Sequence, residues 1–199
     1  MQARRILVAL ALGVAPVSPP GALADASSGL EPPCTIEGTD EGDVLIGTPG
    51  PDVICGFGGR DEMRGRGGDD RLFGGERNDT IHGGLGNDLV NGGSENDVLF
   101  GGRGNDTVRG GIDGDTMFGG LGDDILRGGQ GKERMDGGAG DDALFGDKGG
   151  DPCLRSRDGV GGNDPLRAGV GHDVIDRDPG DLVVDPEEAE RFAHCSVLA

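Results

Sequence analysis

The chain contains no Trp and no Tyr, and aromatic residues make up 3% of its 199 residues. Few large side chains are therefore available for a multilayered core, and the composition is that of neither an ordinary enzyme nor an ordinary globule. Cations are scarce as well: 18 Lys and Arg stand against 37 Asp and Glu, a formal net charge of -19 that repels nucleic acid. Catalytic constellations are missing. The histidines His82, His172 and His194 stand in unrelated contexts, no GxSxG occurs, and Gly131-Lys132 is followed by Glu133 where a phosphate-binding loop needs Ser or Thr. The carboxylates could imitate a glycosidase pair, but their fixed spacing has another explanation, and the chain reads as no enzyme. Long apolar runs are absent too. Ile6 to Val17 is short for a membrane span, and Pro16, Pro19 and Pro20 interrupt its end.

What abounds is glycine, 44 residues of it, together with acid. Such a composition usually signals disorder or a fibre, but here both residue types are periodic. Stepping by nine gives Asp43, Asp52, Asp61, Asp70, Asp79, Asp88, Asp97, Asp106, Asp115, Asp124, Glu133, Asp142 and Asp151. Two residues after each beat stands an apolar one: Leu45, Ile54, Met63, Leu72, Ile81, Val90, Leu99, Val108, Met117, Leu126, Met135, Leu144 and finally Cys153. Glycines fill the positions five, four and two before most beats. A helix is excluded, because nine residues is two and a half turns and would send successive apolar residues to opposite faces, and each internal glycine costs roughly 1 kcal/mol there. A turn, a three-residue strand and a turn again fit the pattern, with the middle strand residue pointing inward. One such strand cannot make a core. Two nonapeptides back to back can, which predicts 18-residue coils stacked as a parallel β-roll.

Three of the repeats, GGLGNDLVN (83–91), GGRGNDTVR (101–109) and GGLGDDILR (119–127), resemble the repeats-in-toxin (RTX) calcium-binding nonapeptide GGxGxDxUx, also called the hemolysin-type repeat. The resemblance covers about residues 38–176 and implies an all-β, right-handed parallel β-roll. It implies further that each calcium ion sits between turns stacked on one side, held by Asp carboxylates together with turn carbonyls. Carried onto this chain, the metal-binding residues are Asp52, Asp61, Asp70, Asp79, Asp88, Asp97, Asp106, Asp115, Asp124, Asp142, Asp151, Asp164 and Asp173, with Gly84, Gly86, Gly102, Gly104, Gly120 and Gly122. The donor chemistry agrees. Carboxylates and glycine-loosened carbonyls suit a hard divalent ion, and a flexible dehydrated cage suits calcium better than magnesium. About ten such ions would offset the formal charge of -19.

The two edges of the roll are not equivalent in sequence. Beats 52, 70, 88, 106, 124 and 142 share one edge, and the position two before each is glycine: Gly50, Gly68, Gly86, Gly104, Gly122 and Gly140. On the other edge that position holds Glu41, Gly59, Arg77, Glu95, Asp113, Gly131 and Gly149, and one beat is Glu133. Side chains there should strain a turn that prefers positive φ, and the longer Glu133 displaces its carboxylate by a methylene. A well-formed row of about five ions is therefore expected on the first edge and fewer or weaker sites on the second, worst around Asp113 to Glu133. Alternatively a carbonyl is the ligand at that position and Arg77 and Glu95 are tolerated. Asp69, Asn78, Asn87, Asn96, Asn105, Asp123 and Asp141, just before the beats, read as turn formers that tolerate left-handed backbone.

The ends read as follows. Residues 1–24 form a secretory signal, with Arg4 and Arg5 before the apolar run and the cleavage motif Ala22-Leu23-Ala24 after it. Residues 25–37 are a linker and an N-terminal cap strand at Cys34-Thr35-Ile36, 38–176 the roll, and 177–199 a C-terminal cap with a strand at Leu182 to Val184 and a short helix from Asp185 to about Phe192. In a chain bound for an oxidising compartment four cysteines allow three disulfide pairings, of which Cys34 with Cys55 and Cys153 with Cys195 is favoured because it staples one end each. After Asp151 the beat slips by four residues and resumes at Asp164 and Asp173, with Leu166 and Ile175 inward. The expected molecule is an extracellular calcium binder without catalysis, nucleic-acid partner or membrane span after signal removal. The rival is a structural or adhesive module at the cell surface, binding surface or wall components on a calcium-loaded scaffold.

Overall fold

A computed structural model describes residues 5–8, 33–149, 153–155, 165–167, 175–176 and 182–183. The strands, in chain order, are β1 (Arg5–Val8), β2 (Ile36–Glu37), β3 (Asp43–Ile46), β4 (Val53–Gly58), β5 (Glu62–Gly67), β6 (Arg71–Glu76), β7 (Thr80–Leu85), β8 (Leu89–Ser94) and β9 (Val98–Arg103). They continue as β10 (Thr107–Ile112), β11 (Thr116–Leu121), β12 (Ile125–Gly131), β13 (Arg134–Ala139), β14 (Ala143–Gly149), β15 (Cys153–Arg155), β16 (Pro165–Arg167), β17 (Ile175–Asp176) and β18 (Leu182–Val183). Odd-numbered strands form one nine-stranded sheet and even-numbered strands the other, each in sequential order. Every pairing is parallel, and through the regular part the register advances by 18 residues, as in Ile81 with Leu99 and Val90 with Val108. The molecule is thus the all-β parallel roll the period predicts, with no helix among the described residues.

The core is a double column of single side chains. Leu45, Ile54, Met63, Leu72, Ile81, Val90, Leu99, Val108, Met117, Leu126 and Leu144 are wholly buried, and Met135 nearly so. Their strand neighbours face out, as the two-residue period of an extended chain requires. Through the regular coils the strands are longer than the three residues expected. From β4 to β14 each runs six or seven residues through the glycines, with a break in pairing at one position, as at Gly83 between the His82–Phe100 and Gly84–Gly102 pairs. Adjacent coils bend identically, so their hydrogen bonds resume beyond the bend.

On the outside of the odd-numbered sheet the rings of His82, Phe100 and Phe118 stack along the roll, at 4.4 Å and 5.0 Å between centroids. On the other sheet Arg127 lies over the Phe145 ring at 4.7 Å.

The N-terminal end is stapled by a Cys34–Cys55 disulfide, with Ile36 stacked on Ile54. The cap strand begins two residues later than expected, at Ile36, while Thr35 bonds across to Val53 through its N–H at 2.7 Å. Beyond it, β1 pairs with β3, so the stretch read as a signal contributes a strand. Toward the C-terminus the register corrects one expectation. Leu154, and not Cys153, aligns with Met135, one residue beyond the regular step. Leu144 then aligns with Leu166, a 22-residue step from 144 to 166 that matches the four-residue slip, and Leu154 aligns with Ile175. Leu182–Val183 is a strand, aligned with Pro165 and Leu166. The Cys153–Cys195 pairing, the cleavage motif, the helix from Asp185 and the sites at Asp151, Asp164 and Asp173 lie outside the described residues.

The inward and outward columns should differ sharply on truncation. Leu99→Ala is expected to cost about 2–5 kcal/mol in calcium. Phe100→Ala, one residue on, should cost about 1 kcal/mol, the worth of a ring contact. Thermal unfolding of both variants checks this, and equal losses would contradict the placement of the core.

Candidate metal-binding turns

Each beat Asp sits where a turn becomes a strand, and its side chain is buried: Asp88 is 2% exposed and Asp106 1%. A buried carboxylate needs donors or a cation. One oxygen finds a donor in the neighbouring coil. The Asp88 N–H donates to Asp106 Oδ1 at 2.8 Å, and Asp88 Oδ1 in turn accepts the Asp70 N–H at 2.8 Å. On the first edge this ladder runs from Asp52 through Asp70, Asp88, Asp106 and Asp124 to Asp142. On the second it runs from Asp43 through Asp61, Asp79 and Asp97 to Asp115. The Asp carbonyls are engaged as well, Asp88 O accepting from Thr107 N–H at 2.8 Å. Each Asp therefore ties together three coils.

The second oxygen is left over. Oδ2 of Asp70, Asp79, Asp88, Asp97, Asp106, Asp115 and Asp124 is buried and accepts no hydrogen bond. It points over the glycine five residues before it. A Cβ on Gly83 would lie 2.5 Å from Asp88 Oδ2 and 2.5 Å from the Gly101 carbonyl of the next coil; on Gly101 it would meet Asp106 Oδ2 at 2.5 Å and Gly119 O at 2.6 Å. Two oxygens from successive coils thus converge on a space that only glycine leaves open. Among the described residues no three His, Cys, Asp or Glu side chains gather at one point, so a cation here would complete its shell with backbone carbonyls. That donor set, oxygen only and largely backbone, fits calcium.

Electrostatics agree with an unneutralised carboxylate row. Burial pushes Asp70, Asp79, Asp97, Asp106, Asp115 and Asp124 up to about 7, against the backbone hydrogen bond that lowers them. Asp88 is raised for the same reason. Neighbouring carboxylates, such as Asp88 and Asp52 around Asp70, add to the rise.

The glycines singled out in the sequence are the left-handed points of these turns. Gly84, Gly86, Gly102, Gly104, Gly120 and Gly122 have φ of 126°, 118°, 127°, 120°, 125° and 120°. On the second edge Arg77, Glu95 and Asp113 take φ of 79°, 73° and 74°, the strain anticipated for that edge. Two further strained residues escaped the sequence reading. Phe57 and Arg66, four before a beat, have φ of 71° and 82°, so the first edge carries one exception of its own, in the Asp70 turn. The signal was present, since most other repeats have glycine there.

One expectation is corrected. Asp69, Asn87, Asn105, Asp123 and Asp141 are not left-handed. Their side chains run an outer ladder instead: the Asn87 N–H donates to Asp69 Oδ1 at 2.9 Å, Asn105 N–H to Asn87 at 2.8 Å, Asp123 N–H to Asn105 at 3.1 Å and Asp141 N–H to Asp123 at 3.0 Å. On the second edge Arg60, Gly114 and Lys132 replace Asn or Asp at that position before Asp61, Asp115 and Glu133, and among the described residues such a bond there joins Gly114 N–H to Asn96 at 3.2 Å. Glu133 differs as expected, its Cγ lying 2.7 Å from where a Gly128 Cβ would stand.

A parallel roll whose turns aim buried carboxylates and carbonyls at one point is the frame of a hard-cation-binding solenoid. The profile of the RTX calcium-binding nonapeptide repeat (4 copies) matches residues 37–72, 64–99, 73–108, 91–126, 109–144, 118–151 and 158–181, and the chain belongs to that family. No curated protein matches it. RTX repeats bind calcium, and the ladder of buried Asp is consistent with several ions.

The raised carboxyls give the metal-free roll a definite pH response. Folding holds these groups protonated to about 7, whereas the unfolded chain gives up their protons near 3.8. The folded state binds more protons between those values, so its stability falls as pH rises through that window and is lowest above 7. In chelator, acidifying from pH 8 to 5 should increase strand signal in circular dichroism, and in calcium it should weaken ion binding. Loss of order on acidification in chelator would contradict the buried carboxylate row.

Proposed function

We propose that this is a secreted, non-enzymatic calcium-binding roll whose order depends on calcium. The observation that carries the reading is the buried Oδ2 repeated in seven turns without a donor and facing a carbonyl of the next coil. In low calcium, stacking the coils buries repelling carboxylates; in millimolar calcium, ions between successive turns remove that penalty and folding follows binding. The ligands are the carboxylates of Asp61, Asp70, Asp79, Asp88, Asp97, Asp106, Asp115, Asp124 and Asp142, continuing at Asp151, Asp164 and Asp173, with turn carbonyls that include those of Gly84, Gly86, Gly102, Gly104, Gly120 and Gly122; Asp52, whose Oδ2 already accepts two hydrogen bonds from Thr48, is left out. RTX calcium-binding repeats are typical of secreted proteins, and the reading of residues 1–24 as a signal, with the mature chain starting at Asp25, supports an extracellular site of action.

The first edge carries the stronger row of ions. Its outer ladder is unbroken from Asp69 to Asp141, and four of its five left-handed positions two before the beat are matched by left-handed glycine four before it. Toward the later turns of the second edge the gap to the next coil is wider, 2.9 Å from a Gly92 Cβ to Gly110 O and 2.7 Å from a Gly110 Cβ to Gly128 O, against 2.5 Å at Gly83 and 2.6 Å at Gly101, while at Gly56 and Gly74 it is the same as on the first edge. A second reading, an adhesive scaffold, is favoured by the outward His82, Phe100 and Phe118 strip beside exposed Leu85 and Leu121. Retention on cell-wall material in calcium, abolished by Phe118→Ser, would select it.

Circular dichroism of the purified chain should show a strand spectrum in calcium that collapses in chelator at pH 8; a spectrum unchanged by chelator would sink the proposal. Asp106→Asn on the first edge should raise the calcium midpoint several-fold, and more than Asp115→Asn on the second, in isothermal titration. Equal shifts, or the larger one from Asp115→Asn, would refute the unequal edges.

A further inference from the structure

The first turn of each edge is built differently from all the later described ones. At Asp43 and Asp52 the residue four before the beat is Thr39 and Thr48, where later turns through Asp142 have Gly, Phe or Arg. Neither Thr is left-handed, and neither is Glu41 or Gly50 two before the beat, whereas every later described turn through Asp142 takes positive φ at both positions. The inner carboxylate oxygen, bare in the middle of the roll, is doubly bonded here. Asp43 Oδ2 accepts the Thr39 N–H at 2.8 Å and the Thr39 hydroxyl at 2.9 Å. Asp52 Oδ2 accepts the Thr48 N–H at 2.6 Å and its hydroxyl at 2.9 Å. Each hydroxyl also accepts an N–H of its own turn, from Glu41 and from Gly50, both at 3.2 Å. The carboxylate is drawn toward the threonine: Oδ2 stands 3.2 Å and 2.9 Å from a Cβ on Gly38 and Gly47, against 2.5 Å at Gly83.

We propose that Thr39 and Thr48 take the place of cations at the first turn of each edge, so that these two turns bind no calcium and the coil they close is ordered before calcium arrives. The inference rests on the calcium-dependent reading of the later turns. Two donors on one oxygen satisfy what elsewhere only an ion can satisfy. The Cys34–Cys55 bridge closes the same coil covalently, and Thr35 bonds Val53 through both its N–H and its hydroxyl. The result is a preformed platform on which the first calcium-dependent coil can stack. A coil of a solenoid draws much of its stability from the interface with its neighbour, and a metal-free first coil offers that interface to the ion-driven part.

Hydrogen exchange of the full, oxidised chain, read by mass spectrometry with calcium alone or chelator, tests this. In chelator residues 36–55 should stay protected while 70–142 exchange freely; in calcium both should be protected. Thr39→Val with Thr48→Val keeps the shape and removes both hydroxyls, and should speed exchange of 36–55 in chelator by about 10-fold or more, the worth of a bond to a charged group. The corresponding double Ser variant should retain protection. Continued protection of 70–142 by calcium in the Val variant shows that the loss is local. The inference is overturned if 36–55 exchanges as freely as 70–142 in chelator while calcium protects both, or if the Val variant is unchanged. Protection of 70–142 in chelator would overturn the calcium-dependent reading itself, and this inference with it.

Discussion

The roll depends on how one carboxylate divides its two oxygens. Oδ1 of each beat Asp belongs to the fold, since it accepts the amide of the Asp one coil earlier and holds the turns in register. Oδ2 belongs to the ligand, since nothing in the protein donates to it through the middle of the roll. The division makes the same residue both the mortar between coils and the point at which the stack is unfinished. An apolar residue once in nine cannot compensate for a row of buried charges, and so the stability of the stack is tied to what fills the space above the turn glycines.

That dependence explains which substitutions the turns tolerate. Non-glycine residues enter at left-handed positions, as Arg66, Arg77, Glu95 and Asp113 show, at a backbone cost of roughly 1–2 kcal/mol each. They do not enter five before the beat: through the regular coils that position is glycine from Gly56 to Gly137. A strained φ is a local expense, whereas a methyl group above Gly83 would occupy the space where Asp88 Oδ2 and the Gly101 carbonyl converge. The two kinds of glycine look alike in the repeat and do different work.

Much of this was legible in the sequence because a period is a statement about geometry. The nine-residue beat alone placed the inward column from Leu45 to Leu144, the two edges, and the proximity of Cys34 to Cys55. What the beat did not reveal are bonds that exist only once coils are stacked. The outer ladder through Asn87 and Asn105 joins residues eighteen apart by side chain and amide, and a local turn propensity explains those residues equally well until the coils are in place. The threonine caps escaped for a related reason, since Thr39 and Thr48 look like ordinary variants of a glycine position until their hydroxyls are seen on Asp43 and Asp52. The one register error, Cys153 for Leu154, arose where the strict spacing ends.

The inner ladder also has a direction. Each beat amide finds its acceptor in the coil that follows, as Asp70 does in Asp88, while each outer-ladder amide finds its acceptor in the coil before, as Asn87 does in Asp69. A chain emerging from a ribosome or threading through a pore with its N-terminus leading therefore exposes every newly formed coil with its innermost amides still waiting, and order trails the moving chain by one full coil. Entry in the opposite sense would leave the outer amides waiting instead, so the two routes through a narrow passage are energetically distinct.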